Sequence, residues 1–253
     1  MLAEERFTRI LRQLEKRQSV TVGELCRLLD ASESTVRRDL TILHNQGKLV
    51  KVFGGATTPG SGYTLRDDTV AQRQDRNREE KEIIARYAAS LLEENDFVYL
   101  DAGTSTDLLI GCLPGSLPSG VTFVTNSPAH ACRLSRQGRA VFVLGGKLKP
   151  ATEAAVGTAA LRELERYNFT KGFFGANGIH PRRGVTTPDV EEAMVKSAAL
   201  GRCRRAYILA DSSKFGLICP GTICGFSAAV ILTTSAAGES YRKYDHVWEA
   251  EEK

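Results

Sequence analysis

Six short apolar runs fill the chain from residue 79 onward, at 97–100, 121–124, 140–144, 171–174, 206–210 and 229–232. Stretches of helical period accompany them at 79–94, 105–113, 127–137, 157–166 and 189–200. This alternation predicts a mostly parallel sheet covered on both faces, because parallel neighbours need a crossover that returns over the sheet. Such sheets bind ligands at the carboxyl ends of their strands. Here those ends are small or polar: Asp101-Ala102-Gly103-Thr104-Ser105-Thr106, Thr125-Asn126-Ser127, Gly145-Gly146-Lys147, Gly175-Ala176-Asn177-Gly178 and Asp211-Ser212-Ser213-Lys214. Five endings of this kind predict a pocket.

The first 57 residues follow another pattern. Phe7, Ile10, Leu11 and Leu14 recur at helical spacing over 3–17. Thr21, with Glu24 three residues on, predicts a capping box before a second helix at about 22–29 carrying Val22, Leu25, Leu28 and Leu29. Ser32 caps a third helix running to about Gln46, with Val36, Leu40 and Leu43 inward and Gly47 as its left-handed stop. Leu49 to Phe53 reads as a strand closed by Gly54-Gly55, a β-hairpin wing.

Two short helices joined by a tight break read as a helix-turn-helix. With Val36 and Leu40 inward, Ser34, Thr35, Arg37 and Arg38 face solvent or DNA. Arginine grips guanine or phosphate, and Ser32, Ser34 and Thr35 at a helix start suit phosphate oxygens. Lys51 on the wing is placed for a backbone contact. Asp39 would repel phosphate, so it is expected to orient Arg38 or another arginine by a salt bridge. A three-helix protein-interaction module is the other reading. Charge placement favours DNA: residues 1–58 hold ten Lys/Arg against seven Asp/Glu, most of the chain's net +4.

Hydrophobic residues make up 42% of the 253 and charged residues 25%, which excludes wholesale disorder and collagen. The longest apolar runs, 206–210 and 228–232, are far short of the ~20 residues of a membrane helix. The first residues lack a signal-peptide pattern. A soluble, cytoplasmic chain with no membrane partner is expected. The six cysteines and four histidines are scattered, so free thiols are expected and no metal or cofactor. Residues 58–78, polar and rich in Thr, Gly and Ser before mixed charge, read as a linker. The expected organisation is a DNA-binding unit at 1–57, this linker, and an α/β domain at 79–253.

In the second domain, Gly103 allows close backbone approach, and Thr104, Ser105 and Thr106 at a helix start can cradle a phosphate. A capped strand–helix turn is the plainer alternative. Thr187 and Asp189 are read as capping one helix end. Glu192 and Lys196 stand four apart, either as a surface ion pair or with Lys196 aimed at an anion. Lys214 is a phosphate ligand or a solvated charge.

The run Ser32-x2-Thr35-Val36-Arg37-Arg38-Asp39-Leu40, preceded by Arg6-x3-Ile10-x3-Leu14 and followed by Gly54-Gly55-Ala56, closely resembles the helix-turn-helix signature of the DeoR family. Five later motifs match that family's sensor domain in order: 101–106, 125–127, 175–179, 186–193 and 210–216. Ser105 stands where the family often has Thr. The resemblance spans residues 3 to 247. Tyr87-Ala88-Ala89-Ser90-Leu91 and Gly178-Ile179-His180 resemble the regulators of fructose and lactose-tagatose operons.

The resemblance implies a winged helix-turn-helix followed by a Rossmann-like, mostly parallel α/β sensor domain. It also implies a homo-oligomeric repressor that binds operator DNA and answers to a phosphorylated sugar. Gly103, Thr104, Ser105 and Thr106 would then hold the phosphate, with Lys214 and Lys196. Asp101, Asn126, Asn177 and Asp189 would bond sugar hydroxyls. The sensor fold is related to ribose-5-phosphate isomerase, so a sugar-phosphate isomerase with an appended DNA-binding module is the alternative. Where that enzyme carries an acidic Asp-Gly-Ala-Asp-Glu run, this chain has Gly175-Ala176-Asn177-Gly178-Ile179, which implies binding without turnover. A DNA-binding architectural protein is a third reading.

Overall fold

The computed structural model describes residues 3–17, 19–46, 48–52, 55–57 and 69–251, with side chains at all of these except 16, 17, 19, 50–52, 57 and 240. The chain divides into two compact units, residues 1–65 with 217–219, and residues 66–216 with 220–253.

The first unit contains α1 (Ala3–Arg17), β1 (Ser19–Thr21), α2 (Val22–Leu29), α3 (Glu33–Asn45), β2 (Val50–Val52) and β3 (Gly55–Thr57). The capping box forms: the Thr21 hydroxyl accepts from the Glu24 N–H at 3.2 Å, and the Glu24 carboxylate accepts from the Thr21 N–H at 2.8 Å. Asp30, left-handed at φ 47°, ends α2, and Ser32 caps α3. Val36, Leu40 and Leu43 are fully buried in one core with Ile10, Leu14, Leu25 and Leu29. Leu28 does not join them; it is 42% exposed, because a helix of eight residues has room for only a narrow buried stripe.

The wing has three strands, with β3 antiparallel to both β1 and β2. β1 carried no signal, since three residues are too few to show a period. A Cβ on Gly55 would lie 2.0 Å from the Val20 carbonyl oxygen, so only glycine lets β3 meet β1 there. Gly47, Phe53 and Gly54 lie outside the described residues, as do 58–68 of the predicted linker.

The second unit opens with α4 (Val70–Gln74) and α5 (Arg78–Ser90). Then come β4 (Phe97–Leu100), α6 (Thr104–Gly111), β5 (Thr122–Thr125), α7 (Pro128–Arg136), β6 (Ala140–Val143), a β7–β8 hairpin (Lys147–Leu148, Ala155–Val156) and α8 (Thr158–Leu164). The rest is β9 (Phe169–Gly175), β10 (Gly178–His180), β11 (Gly184–Thr187), α9 (Val190–Leu200), β12 (Cys203–Leu209), β13 (Gly221–Cys224), β14 (Val230–Thr233), α10 (Glu239–Arg242) and β15 (Val247–Glu249). Seven strands form one sheet in the order β15-β14-β12-β9-β4-β5-β6, and every neighbouring pair is parallel.

Alternate residues of each strand feed two cores. Val98 and Leu100 pack with Phe123, Phe173 and Tyr207 under α5, α6 and α7. Tyr99 packs on the other face with Val124, Phe174 and Ile208, under α8 and α9. This double burial is why the strands read as unbroken apolar runs. A small antiparallel sheet, β10-β11-β13, lies outside the main one.

Residues 69–77, read as the end of the linker, are built differently. Thr69 and Gln72 form a capping box at α4. The Val70 N–H donates to the Ala151 carbonyl at 3.2 Å, and Lys81 Nζ donates to the Arg73 carbonyl at 2.6 Å. Five residues held by caps and tertiary bonds leave no apolar period to detect. All six cysteines are free, and Cys132 is exposed.

Candidate functional site

The first unit presents α3 with Ser32, Ser34, Arg37 and Arg38 exposed at its start. The Ser32 hydroxyl lies 3.0 Å from that of Ser34 and 2.9 Å from that of Thr35, a small hydroxyl cluster over the first turn. Arg37 reaches back to Glu33, with Nε 2.9 Å from its carboxylate. Arg38 has no ion-pair partner among the described residues. Lys51 is in β2, and its side chain is outside the described set.

Asp39 does orient an arginine, but the partner is Arg6 of α1, at 2.6 and 3.0 Å in a two-point contact. The buried carboxylate ties α1 to α3 and keeps the acid off the exposed face. Arg38→Ala should weaken operator binding by about 1–2 kcal/mol and lower the salt slope by up to about one unit. Arg37→Ala should cost less, since Glu33 already engages that guanidinium. Filter binding over a salt series reads both; equal, negligible losses would remove α3 from the interface.

In the second unit, the strand order reverses between β4 and β9: from β4 the sheet grows through β5 and β6 on one side and through β9 and β12 on the other. The crevice at such a reversal is where α/β sheets hold ligands. A cavity lies there, lined by Gly103, Thr104 and Ser105 after β4, Gly175 to Asn177 after β9, and Lys214 after β12. Arg73, Arg76, Lys81, Glu192 and Lys196 complete the wall, giving five cationic side chains and one carboxylate. Three of the five polar strand ends therefore meet.

Other predicted residues brace the cavity instead of lining it. Thr106 is fully buried and donates to the Asp101 and Gly103 carbonyls at 2.6 and 2.9 Å. Asn126 accepts from the Ala102 N–H at 2.9 Å and donates to the Ala155 carbonyl at 3.3 Å. Asp189 caps α9 and meets Lys149 Nζ at 2.6 Å. Thr187 closes β11 and donates to the Asn177 side chain at 3.1 Å, so it sets the angle of Asn177 and caps nothing.

Glu192 and Lys196 are both buried and do not pair with each other. Glu192 accepts from Thr152 at 2.6 Å and meets Lys149 at 3.1 Å. Lys196 is bound to Asp101, which also accepts from the Gly175 N–H at 3.0 Å. Burial pushes the Asp101 carboxyl pKa up, against the pull of Lys196 and of that N–H.

Sequence reasoning missed Lys81, Arg73 and Arg76. Lys81, on the inward face of α5, is 3% exposed and donates to Thr104 Oγ1 at 3.4 Å. Burial lowers its pKa to about 8; Asp211 opposes this, while Lys214, Arg73 and Arg76 add to it. One lysine at an otherwise apolar helix position was the available signal. The Asp211 carboxyl resists the effect of burial and stays below the usual range, held by Lys214, Ser213 and Asn77.

A DNA-reading helix pair and an α/β domain with a cationic pocket define a two-unit transcriptional regulator. A model of the DeoR-like helix-turn-helix domain matches residues 6–61, and one of the DeoR C terminal sensor domain matches 76–236. The chain belongs to the DeoR family of helix-turn-helix regulators. It is 41% identical over 244 residues to "Uncharacterized HTH-type transcriptional regulator FruR" of Bacillus subtilis (strain 168), covering 96% of each chain. It is 34% identical over 219 residues to the lactose phosphotransferase system repressor of Streptococcus mutans, covering 85% of each. Among solved structures, ribose 5-phosphate isomerase A from Neisseria gonorrhoeae is similar at 16% identity and TM-score 0.40, over 53% of this chain and 52% of that one. Among the described residues, no helix is long and apolar enough to cross a membrane.

Proposed function

We propose that the chain represses a sugar-catabolism operon and that a phosphorylated sugar, bound in the second unit, alters its affinity for operator DNA. The observation that carries this is the cavity at the β4–β9 reversal. The N-terminal turn of α6 faces it with Thr104 and Ser105, and five cations surround it. Backbone N–H groups at a helix start and converging cations suit a phosphate dianion. Asn177 on the same wall offers an amide to a sugar hydroxyl. The relative named as a lactose phosphotransferase system repressor supports the sugar class.

One recognition helix reads few base pairs, so a homo-oligomer on repeated half-sites is part of the proposal. The isomerase reading has no observation on its side. Asp101, buried behind the cavity wall, is already engaged by Lys196 and Gly175. Asp189 and Glu192 are engaged by Lys149.

Calorimetric titration with fructose 1-phosphate, fructose 6-phosphate, tagatose 6-phosphate and the free sugars tests the pocket. At least one ester should bind and its free sugar should not, and Lys214→Ala should weaken the ester about tenfold, as expected for one charge-assisted bond. Equal behaviour of ester and free sugar would overturn the phosphate assignment.

A further inference from the structure

Helix α4 lies across the Gly103–Thr104 turn with a cavity on either side. Arg73 and Arg76 line the anion pocket. Val70 and Gln74 line a second cavity, with Asp107, Ser127 and His130. Gly103 and Thr104 belong to both walls. Two bonds tie α4 down: the Val70 N–H donates to the Ala151 carbonyl, and Lys81 Nζ donates to the Arg73 carbonyl. Arg73 Nε is buried without a hydrogen-bond partner, and the guanidinium shares the cavity wall with Lys81, Lys196 and Lys214. The chain enters the second unit through this helix.

We infer that α4 is an anion-operated strap: a dianion in the pocket draws Arg73 and Arg76 onto itself and fixes the segment that leads to the DNA-binding unit. This rests on the phosphate reading of the pocket and adds the regulatory step. A ligand shifts an equilibrium only through a difference in its contacts between states. Arg73, whose buried Nε has no hydrogen-bond partner, supplies that difference. A dianion gives the buried Arg73 Nε the partner it lacks, a hold on the strap that is absent without it. Lys81, its pKa lowered to about 8 by burial, is still mostly protonated at neutral pH and is a further cation on that wall.

Hydrogen exchange of the full chain, read by mass spectrometry with and without saturating inorganic phosphate or fructose 1-phosphate, tests the strap. Amides of 70–76 should slow at least tenfold on anion addition, while those of α7 stay unchanged. Arg73→Gln with Arg76→Gln should still bind the anion, more weakly, and lose the slowing; Arg73→Lys with Arg76→Lys should keep it. Calorimetric binding with unchanged exchange at 70–76 in the natural chain overturns the strap alone. So does slowing that survives in the glutamine variant. Absence of binding by either anion overturns the pocket and the strap together.

Discussion

Lys196→Met should destabilise the second unit by about 3–5 kcal/mol, the cost of stranding one member of a buried ion pair. Asp101 is 1% exposed and Lys196 4%, so water cannot replace the lost ammonium. Asp101 Oδ1 has no hydrogen-bond partner even in the intact pair, so its remaining tie would be the Gly175 N–H. Burial already raises the Asp101 pKa, and loss of Lys196 removes the main pull against that rise. Asp101→Asn in the Lys196→Met background should recover most of the loss, since the amide oxygen keeps the Gly175 bond and no charge is stranded. Urea unfolding followed by Trp248, the chain's single tryptophan, reports on this unit from β15 at the sheet margin. A Lys196→Met variant within 1 kcal/mol of the natural chain would show that the pair does not hold β4 to α9.

Sugar-phosphate affinity should fall as pH rises above 8, by up to about tenfold per unit, because Lys81 must be protonated to hold a dianion. The sign follows from two states. In the empty pocket the Lys81 pKa is about 8, so above that the lysine is mostly neutral. Bound phosphate raises that pKa, so binding takes up a proton between pH 8 and the new value. A phosphate ester is already a dianion there, its second pKa being about 6, so the ligand adds no slope. Titrations at pH 8.5 in buffers of different ionisation heat should show proton uptake, and at pH 6.5 none from Lys81. Lys81→Met should abolish the slope above pH 8 and lower affinity at pH 7 by about 1.5–3 kcal/mol. An affinity flat from pH 7 to 9.5 would place the phosphate away from Lys81.

The parts of this molecule legible in the sequence are those where one physical signal dominates. Val98 to Leu100 and Phe173 to Phe174 are buried on both faces, so they read as strands without help from neighbours. Thr21 and Ser32 announce helix starts because a cap is a local bond. The pocket was half legible. Gly103 to Ser105 could be placed because a loop after a parallel strand has one place to go, and Lys214 for the same reason. Thr106 and Asn126 carry the chemistry of ligands but spend it on nearby backbone, Asp189 spends it on the start of α9 and on Lys149, and only three-dimensional proximity reveals that. Arg73, Arg76 and Lys81 failed in the opposite sense: the two arginines look like solvated charge, and all three gain their meaning from a strand end more than twenty residues away. The Asp39 carboxylate shows the same limit, since its need for an arginine was readable and the choice of Arg6 over Arg38 was not.

The bracing of the pocket floor bears on speed. Asn77 donates to Asp211 at 2.7 Å, Glu80 accepts from Ser212 and Thr234 at 2.8 Å, and Asn126 pins Ala102, so the loops after β4, β12 and β14 are set before anything arrives. A rim of guanidinium and ammonium groups above a rigid floor pulls small anions inward from beyond contact distance. For the proposed sugar phosphate, capture would then be governed by diffusion and ionic strength, and only release would wait on dissociation.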